Sequence, residues 1–261
     1  MKNRISTEEI KKIEVCILDY IASICEENGI QYYLAYGTLL GAVRHQGFIP
    51  WDDDIDIYML RNDYMRFISV VSQKQHERYK LLSRYNDPDY YYEFAKVVDS
   101  KTLVSINNVK TNTKEGVWVD IFPLDYISNH VKIQKTLINV SVAFRILSVY
   151  TKFPSDKHNK VFIPLWLISR FIGPTFFLKV TEKLSTMGKN KNEVGYMASI
   201  GMLHFHFPAV LCQDKCLLPF EGNKYIAFKE YDKYLTLQYG DYMQLPPIEK
   251  RLSHPVEAYW R

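Results

Sequence analysis

The stretch GFIPWDDDIDIYML, Gly47 to Leu60, decides how this chain is read. It crowds Asp52, Asp53, Asp54 and Asp56 together and follows them at once with an apolar, β-prone tail. Neighbouring carboxylates repel one another, and a solvated loop has no need of the hydrophobics. Strand side chains alternate faces, so Asp52, Asp54 and Asp56 share one face if the strand begins that early, and Asp53, Ile55 and Ile57 share the other. Carboxylates two residues apart stand roughly 7 Å from each other and, unpaired, resist burial. A hard divalent cation, Mg²⁺ or Mn²⁺, relieves the repulsion and takes their oxygens as ligands. The competing reading is an acidic solvated turn.

Three neighbours favour the cation. Gly37-Thr38 lies between a short strand and a short helix, where a backbone can approach a phosphate and a helix N-terminus can face it. Arg44 and His45 end that helix and bring positive charge close to the acidic strand. Asp120, in VWVDIFPLD, offers a third carboxylate from another strand. Two carboxylates on one strand and a third beside it suit metal-assisted phosphoryl transfer.

The rest of the sequence is that of a folded protein with a substantial core: 261 residues, 47% hydrophobic and 24% charged. A net charge of +4 permits an anionic partner such as a phosphate compound or a membrane surface, and does not point to nucleic acid. The polar N-terminus MKNRISTEEI shows no signal peptide, so the four cysteines are read as reduced thiols of a cytoplasmic protein. Cys16 and Cys25 are expected in the core. Cys212 and Cys216 follow His204 and His206 at a spacing that matches no zinc pattern, and packing is the favoured reading.

Ser6 and Glu9 form a capping box ahead of Ile10, Ile13, Ile17, Ile21 and Ile24, and Asn28-Gly29 ends that helix. Strands are expected over 32–36, 54–60, 80–84, 91–98 and 117–122. Helices are expected over 38–45 and, capped by Asn62 or Asp63, to about Gln73. Asn107 to Gly116 reads as a polar loop or hairpin tip. From Val131 to Lys183 the chain becomes helical and apolar, broken by Pro154, Pro164 and Gly173-Pro174. The fold class is therefore α+β (α/β), a mixed sheet with flanking helices and a helical insert. We divide it into a catalytic core over 1–130, an insert over 131–189 and a C-terminal segment over 190–261 that packs back on the core.

YYLAYGTLLGAVRHQGFIPWDDDIDIYMLRNDYMRF, VDIFPLD and YDKYLTLQYGDYMQLPP together resemble the LicD family, which is itself similar to the catalytic domains of fukutin and fukutin-related protein. The resemblance runs from about Ile24 to Pro247 and is weaker in the middle. It implies a nucleotidyltransferase-type fold, with Gly37-Thr38 and Asp54-Ile55-Asp56-Ile57 at the motif positions and a rather long spacer between them. It further implies transfer of a phosphorylated alcohol, such as phosphocholine, from a CDP-linked donor to a sugar hydroxyl, with release of CMP. Acceptors would be teichoic acid, lipopolysaccharide or capsule intermediates, some of them lipid-linked. The alternatives are a nucleotidyltransferase that releases pyrophosphate and a non-catalytic glycan- or phosphate-binding module.

On that reading Asp54, Asp56 and Asp120 hold the metal, and Asp120 or His45 takes the acceptor proton. Asp52 orients or binds from behind them, while Asp125 is as readily structural as functional. Arg44 either binds the donor pyrophosphate or pairs with the aspartates. Lys96 matches a family position facing a phosphate; apart from the resemblance it would read as a surface lysine. Tyr239 to Tyr242 reads as structural. Tyr90, Tyr91 and Tyr92 suit either an ordinary strand or a cage for a quaternary ammonium group. The apolar run Val161 to Val180 approaches a membrane span in length, but Arg170 and Gly173-Pro174 interrupt it. With Lys152, Lys157 and Lys160 before it and Lys179 and Lys183 at its end, it suits either an interfacial helix pair in peripheral membrane association or a buried insert.

Overall fold

The computed structural model describes residues 3–105, 115–128, 130–151, 163–196, 205–251 and 256–261. The elements begin β1 (Arg4–Ile5), α1 (Thr7–Glu27), β2 (Tyr33–Leu34), α2 (Tyr36–His45), β3 (Asp56–Leu60), α3 (Arg61–Gln73) and β4 (Tyr79–Leu82). They continue with β5 (Ala95–Asp99), β6 (Thr102–Ser105), β7 (Trp118–Ile127), α4 (Val131–Tyr150), α5 (Ile163–Ile172) and α6 (Pro174–Ser185). The last are β8 (Asn190–Gly195), β9 (Phe207–Pro208), β10 (Lys215–Phe220), β11 (Asn223–Phe228), α7 (Tyr231–Tyr239) and β12 (Glu257–Trp260). The chain forms two compact units: residues 1–81, 96–123 and 211–261 in the first, and 82–95 and 124–210 in the second.

The first unit is a mixed sheet in the order β2-β3-β7-β5-β4, accompanied by a β1-β12-β6 sheet and a β10-β11 hairpin. Helix α1 starts as its sequence predicts. The Ser6 N–H donates to Glu9 Oε2 at 3.0 Å, and the Glu9 N–H donates to Ser6 Oγ at 3.3 Å. The stripe Ile10, Ile13, Ile17, Ile21 and Ile24 is buried, and the helix closes at Asn28 before Gly29, whose φ of +58° suits only glycine comfortably. Aromatic rings fill the interior. Tyr33 stacks on Phe228 at 4.5 Å, Phe228 lies 5.0 Å from Tyr234, and Tyr234 meets Tyr58 edge-on at 6.3 Å. Much of the chain's tyrosine content is therefore core.

The second unit packs α6 on α4, with Phe144 6.1 Å from Phe177 and Thr181 Oγ1 donating to the Ser141 carbonyl at 3.4 Å. The end of β7 pairs antiparallel with β8 through Asp125↔Gly195 and Tyr126↔Val194, and β8 pairs with β9. Buried Glu93 is neutralised by Arg145, 2.5 Å away, and accepts the Tyr196 hydroxyl.

Several expected boundaries move. The acidic strand begins at Asp56, because β2 is only two residues long and offers ladder partners only to Ile57 and Tyr58. Helix α2 starts at Tyr36, and α3 starts at Arg61 with Leu60 as its cap residue, so Asn62 and Asp63 fall inside the first turn. The strand expected from Tyr91 begins only at Ala95; the tyrosines before it form an irregular aromatic cluster. Strand β7 continues through Pro123 to Ile127, and Pro164 falls in the first turn of α5, where a proline does not break a helix. Cys25 is buried as expected, but Cys16 is exposed on the outer face of α1. Asn107 to Lys114, Pro154 and His204 lie outside the described residues.

Because Ile21 is fully buried at the centre of the α1 stripe, Ile21→Ala should cost about 3 kcal/mol of stability. Urea unfolding should show a lower midpoint with an unchanged slope.

Candidate active site

Backbone hydrogen bonds set the carboxylates in place. The Asp56 N–H donates to Thr38 Oγ1 at 2.8 Å, and the Asp56 carbonyl accepts the Ala35 N–H at 3.0 Å. The Asp120 N–H donates to the Ile55 carbonyl at 3.0 Å, which seats Asp120 on β7 beside the Asp54–Asp56 pair. Thr38 thus orients the acidic strand. Gly37 leaves room for Asp52: a Cβ there would lie 2.1 Å from Asp52 Oδ2, so the Asp52 carboxylate fills the space beside it. Just before it, Tyr36 holds φ at +42°, a left-handed conformation that costs a non-glycine residue about 1–2 kcal/mol. Its ring is wedged against Tyr58 at 5.0 Å and Phe122 at 5.5 Å, which holds the strained turn.

The electrostatics are those of like charges held together. Burial, and then the charges of Asp52, Asp120 and Asp53, push Asp54 up to about 8. Burial, and then Asp54, Asp120 and Asp52, push Asp56 well above the usual carboxylate range. Burial also raises Asp120, but Lys96 opposes it. Lys96 is only 4% exposed; its Nζ lies 3.1 Å from Asp120 Oδ1 and 3.9 Å from the Trp118 ring centroid. Lys96 is therefore a buried partner of Asp120, not a surface lysine.

One acidic residue escaped the sequence reading. Glu14 on α1 is 4% exposed, and its Oε2 has no hydrogen-bond partner. Burial raises its carboxyl well above the ordinary range, and the charges of Asp54, Asp53, Asp120 and Asp56 raise it further. The signal was present: position 14 lies four residues after Ile10 and three before Ile17, on the apolar face of α1.

The basic residues form a second group. The Arg44 Nη1 donates to the Tyr242 carbonyl at 3.0 Å, while its Nε has no hydrogen-bond partner. This contact gives the Tyr239 to Tyr242 block a purpose, since its backbone positions Arg44. Burial and the neighbouring charge of Arg251 lower the Arg44 pKa. The Arg251 guanidinium stands 4.9 Å over the Trp51 ring, directly before the aspartates in the chain. His45 is exposed at the end of α2, and burial together with Arg44 pushes it below its usual value.

Asp54, Asp56 and Asp120 supply the hard oxygens that Mg²⁺ or Mn²⁺ takes, and a divalent cation would relieve their repulsion. Among the described residues, however, no three acidic, His or Cys side chains are gathered closely enough to surround an ion, so a coordination shell requires side-chain rotation. The other candidates are placed elsewhere. Asp125 is buried opposite Gly195, and Tyr90 and Tyr91 are buried in their aromatic cluster. Cys212 is buried with its thiol pushed up to about 12 by burial, and Cys216 Sγ reaches the Phe228 carbonyl at 3.4 Å.

Comparison with known proteins places the chain in a family. Residues 29–165 match the family described as LicD/FKTN/FKRP, nucleotidyltransferase domain. The chain is 33% identical, over 98% of its own length and 98% of the relative's, to the lipopolysaccharide cholinephosphotransferase LicD of Haemophilus influenzae. It is also 43% identical over 44 residues to the ribitol 5-phosphate transferase FKRP of Homo sapiens, a stretch covering 17% of this chain and 9% of that protein. The chain belongs to the LicD/FKTN/FKRP family and is a LicD-type phosphotransferase with a mixed α and β fold.

Proposed function

We propose that this protein transfers phosphocholine, or a closely similar phosphorylated alcohol, from a CDP-linked donor to a sugar hydroxyl of a cell-surface glycan. The full-length likeness to a lipopolysaccharide cholinephosphotransferase carries the proposal. In the reaction the acceptor oxygen forms a bond to the phosphorus bearing the alcohol, the bridging P–O bond breaks, and CMP leaves with the bridging oxygen.

Asp54, Asp56 and Asp120 would hold Mg²⁺ or Mn²⁺, which would supply charge neutralisation at the pyrophosphate. Arg44 and Arg251 would grip the donor's phosphate oxygens. Two guanidiniums near each other on the protein, one with an unpartnered Nε, suit an anion between them. Asp120 would accept the acceptor's proton, because it comes from a different strand than Asp54 and Asp56 and can approach from the acceptor side. Lys96 positions Asp120 and counters the rise that burial gives its carboxyl. Thr38 holds the Asp56 backbone, and Asp52 fills the space beside Gly37.

The test is incubation of the purified protein with CDP-choline, Mg²⁺ and a lipopolysaccharide acceptor. Choline phosphate on the glycan with release of CMP is expected; release of pyrophosphate instead would make the enzyme a nucleotidyltransferase. Asp54→Asn and Asp56→Asn should each lower turnover by more than about 100-fold with the fold intact, since even groups supporting a metal ligand are worth 10–100-fold. Asp120→Asn should lose transfer at least as severely as His45→Ala, yet bind CDP-choline in calorimetry better than Asp54→Asn does. If His45→Ala abolishes transfer while Asp120→Asn leaves it near normal, the base is His45.

A pH dependence follows from Asp54. Its carboxyl titrates near 8 in the folded chain and near 3.8 in a free one. Between those values the folded state keeps a proton that the unfolded state has released, so the cation-free protein should lose stability as pH rises from about 4 to about 8. Mn²⁺ at about 100 times its Kd should raise the melting midpoint by about 5–10 °C at pH 8, and by less near pH 5.5, where protons compete for the site. Glu14→Gln removes a buried carboxylate and should raise the cation-free midpoint at pH 8.

A further inference from the structure

We infer that the α5–α6 hairpin of the second unit is a docking surface for a lipid bilayer with anionic head groups. Among the described residues no helix is long and apolar enough to cross a membrane, so this surface would lie on the bilayer. In α5, Leu167, Ile168, Phe171 and Ile172 are 53%, 57%, 93% and 43% exposed. Their spacing of i, i+1, i+4 and i+5 puts them on one helical face, and that apolar face looks outward, the reverse of an ordinary surface helix. Ser169 points the other way and is buried.

Helix α6 extends the surface. Its inner side, Pro174, Phe177, Leu178, Thr181 and Ser185, is buried. Its outer side carries Phe176, 51% exposed, with Lys179 and Lys183 at positions i+3 and i+7 on the same face. Long lysine stems lie along apolar surface while their ammonium groups reach polar head groups. The acid between them, Glu182, is taken up by Arg84 and by the Tyr85 hydroxyl at 2.7 Å. Gly173, with φ of +81°, and Pro174 at the first position of α6 turn the chain between the two helices.

An exposed aromatic and aliphatic ridge bordered by lysines complements an anionic bilayer interface. It does not complement a second copy, since two-fold pairing would bring the same lysines to one seam. The occupant also fits the acceptor: this inference rests in part on the proposed function, whose test acceptor, a lipopolysaccharide, carries a lipid.

The experiment is flotation of the full chain on vesicles of phosphatidylethanolamine and phosphatidylglycerol at low salt, with no nucleotide present. The wild type should float, and about 0.5 M NaCl should weaken the association. Leu167→Asp with Phe171→Asp, both at exposed positions, should lower partitioning at least about tenfold. Lys179→Glu with Lys183→Glu should weaken binding to these vesicles and leave binding to pure phosphatidylcholine vesicles unchanged. The proposal is overturned if the wild type stays at the bottom, or if the double aspartate variant floats as well as the wild type. It is equally overturned if light scattering shows a dimer that this variant dissolves while the wild type does not float. Flotation reads the surface, and CMP release with a water-soluble acceptor reads the chemistry, so either can fail alone.

Discussion

Everything at the site depends on how the peptide groups around Asp56 are held. Its N–H is taken by the Thr38 hydroxyl, its carbonyl by the Ala35 N–H, and the carbonyl of Ile55 by the Asp120 N–H. Free carboxylates would move apart. Here the backbone carrying them is pinned, so their repulsion appears as raised proton affinity. Hydrogen bonds of about 1 kcal/mol each, backed by a buried aromatic core, hold an arrangement that electrostatics alone would scatter. The strained backbone of Tyr36 belongs to the same frame, since its wedged ring sets the turn from which Thr38 reaches Asp56.

The basic side is built on the same plan with opposite sign. Arg44 is tethered to the Tyr242 carbonyl and shares its surroundings with Arg251, so two cations are kept near each other. Separated groups of like charge cost stability in the free protein and become favourable when a ligand brings the complementary charges. Lys96 is the exception, a cation on the acidic side, and it belongs to Asp120.

Legibility in the sequence was uneven for physical reasons. Asp54, Asp56 and Asp120 could be picked out because clustered charge on an apolar strand is improbable unless something holds it. Glu14 falls on the apolar stripe of α1, but the segment does not say which carboxylates that stripe packs near. The resemblance brought Lys96 forward only as a phosphate contact, and its pairing with Asp120 was not legible, since a lysine in a strand says nothing of its neighbour. The tyrosines Tyr90 to Tyr92 have strand-forming chemistry but form an irregular cluster, because burying their rings against one another outweighs β propensity. The apolar run near Phe171 left two readings open, because its composition does not say which way Leu167, Ile168 and Phe171 face.

By itself, then, the sequence determined what is local or periodic: the capped helix α1, the apolar strand that follows the aspartates and the helical character of the insert. Capping, alternation and glycine conformation act over a few residues, and their causes lie within the segment. Tertiary structure decided what faces what. It set Lys96 against Asp120, buried Glu14 within the field of the aspartates, hung Arg44 from a carbonyl about 200 residues away, and left the Phe171 face of α5 open to solvent. Such pairings depend on which surfaces the packed core brings together, and no local propensity encodes that choice.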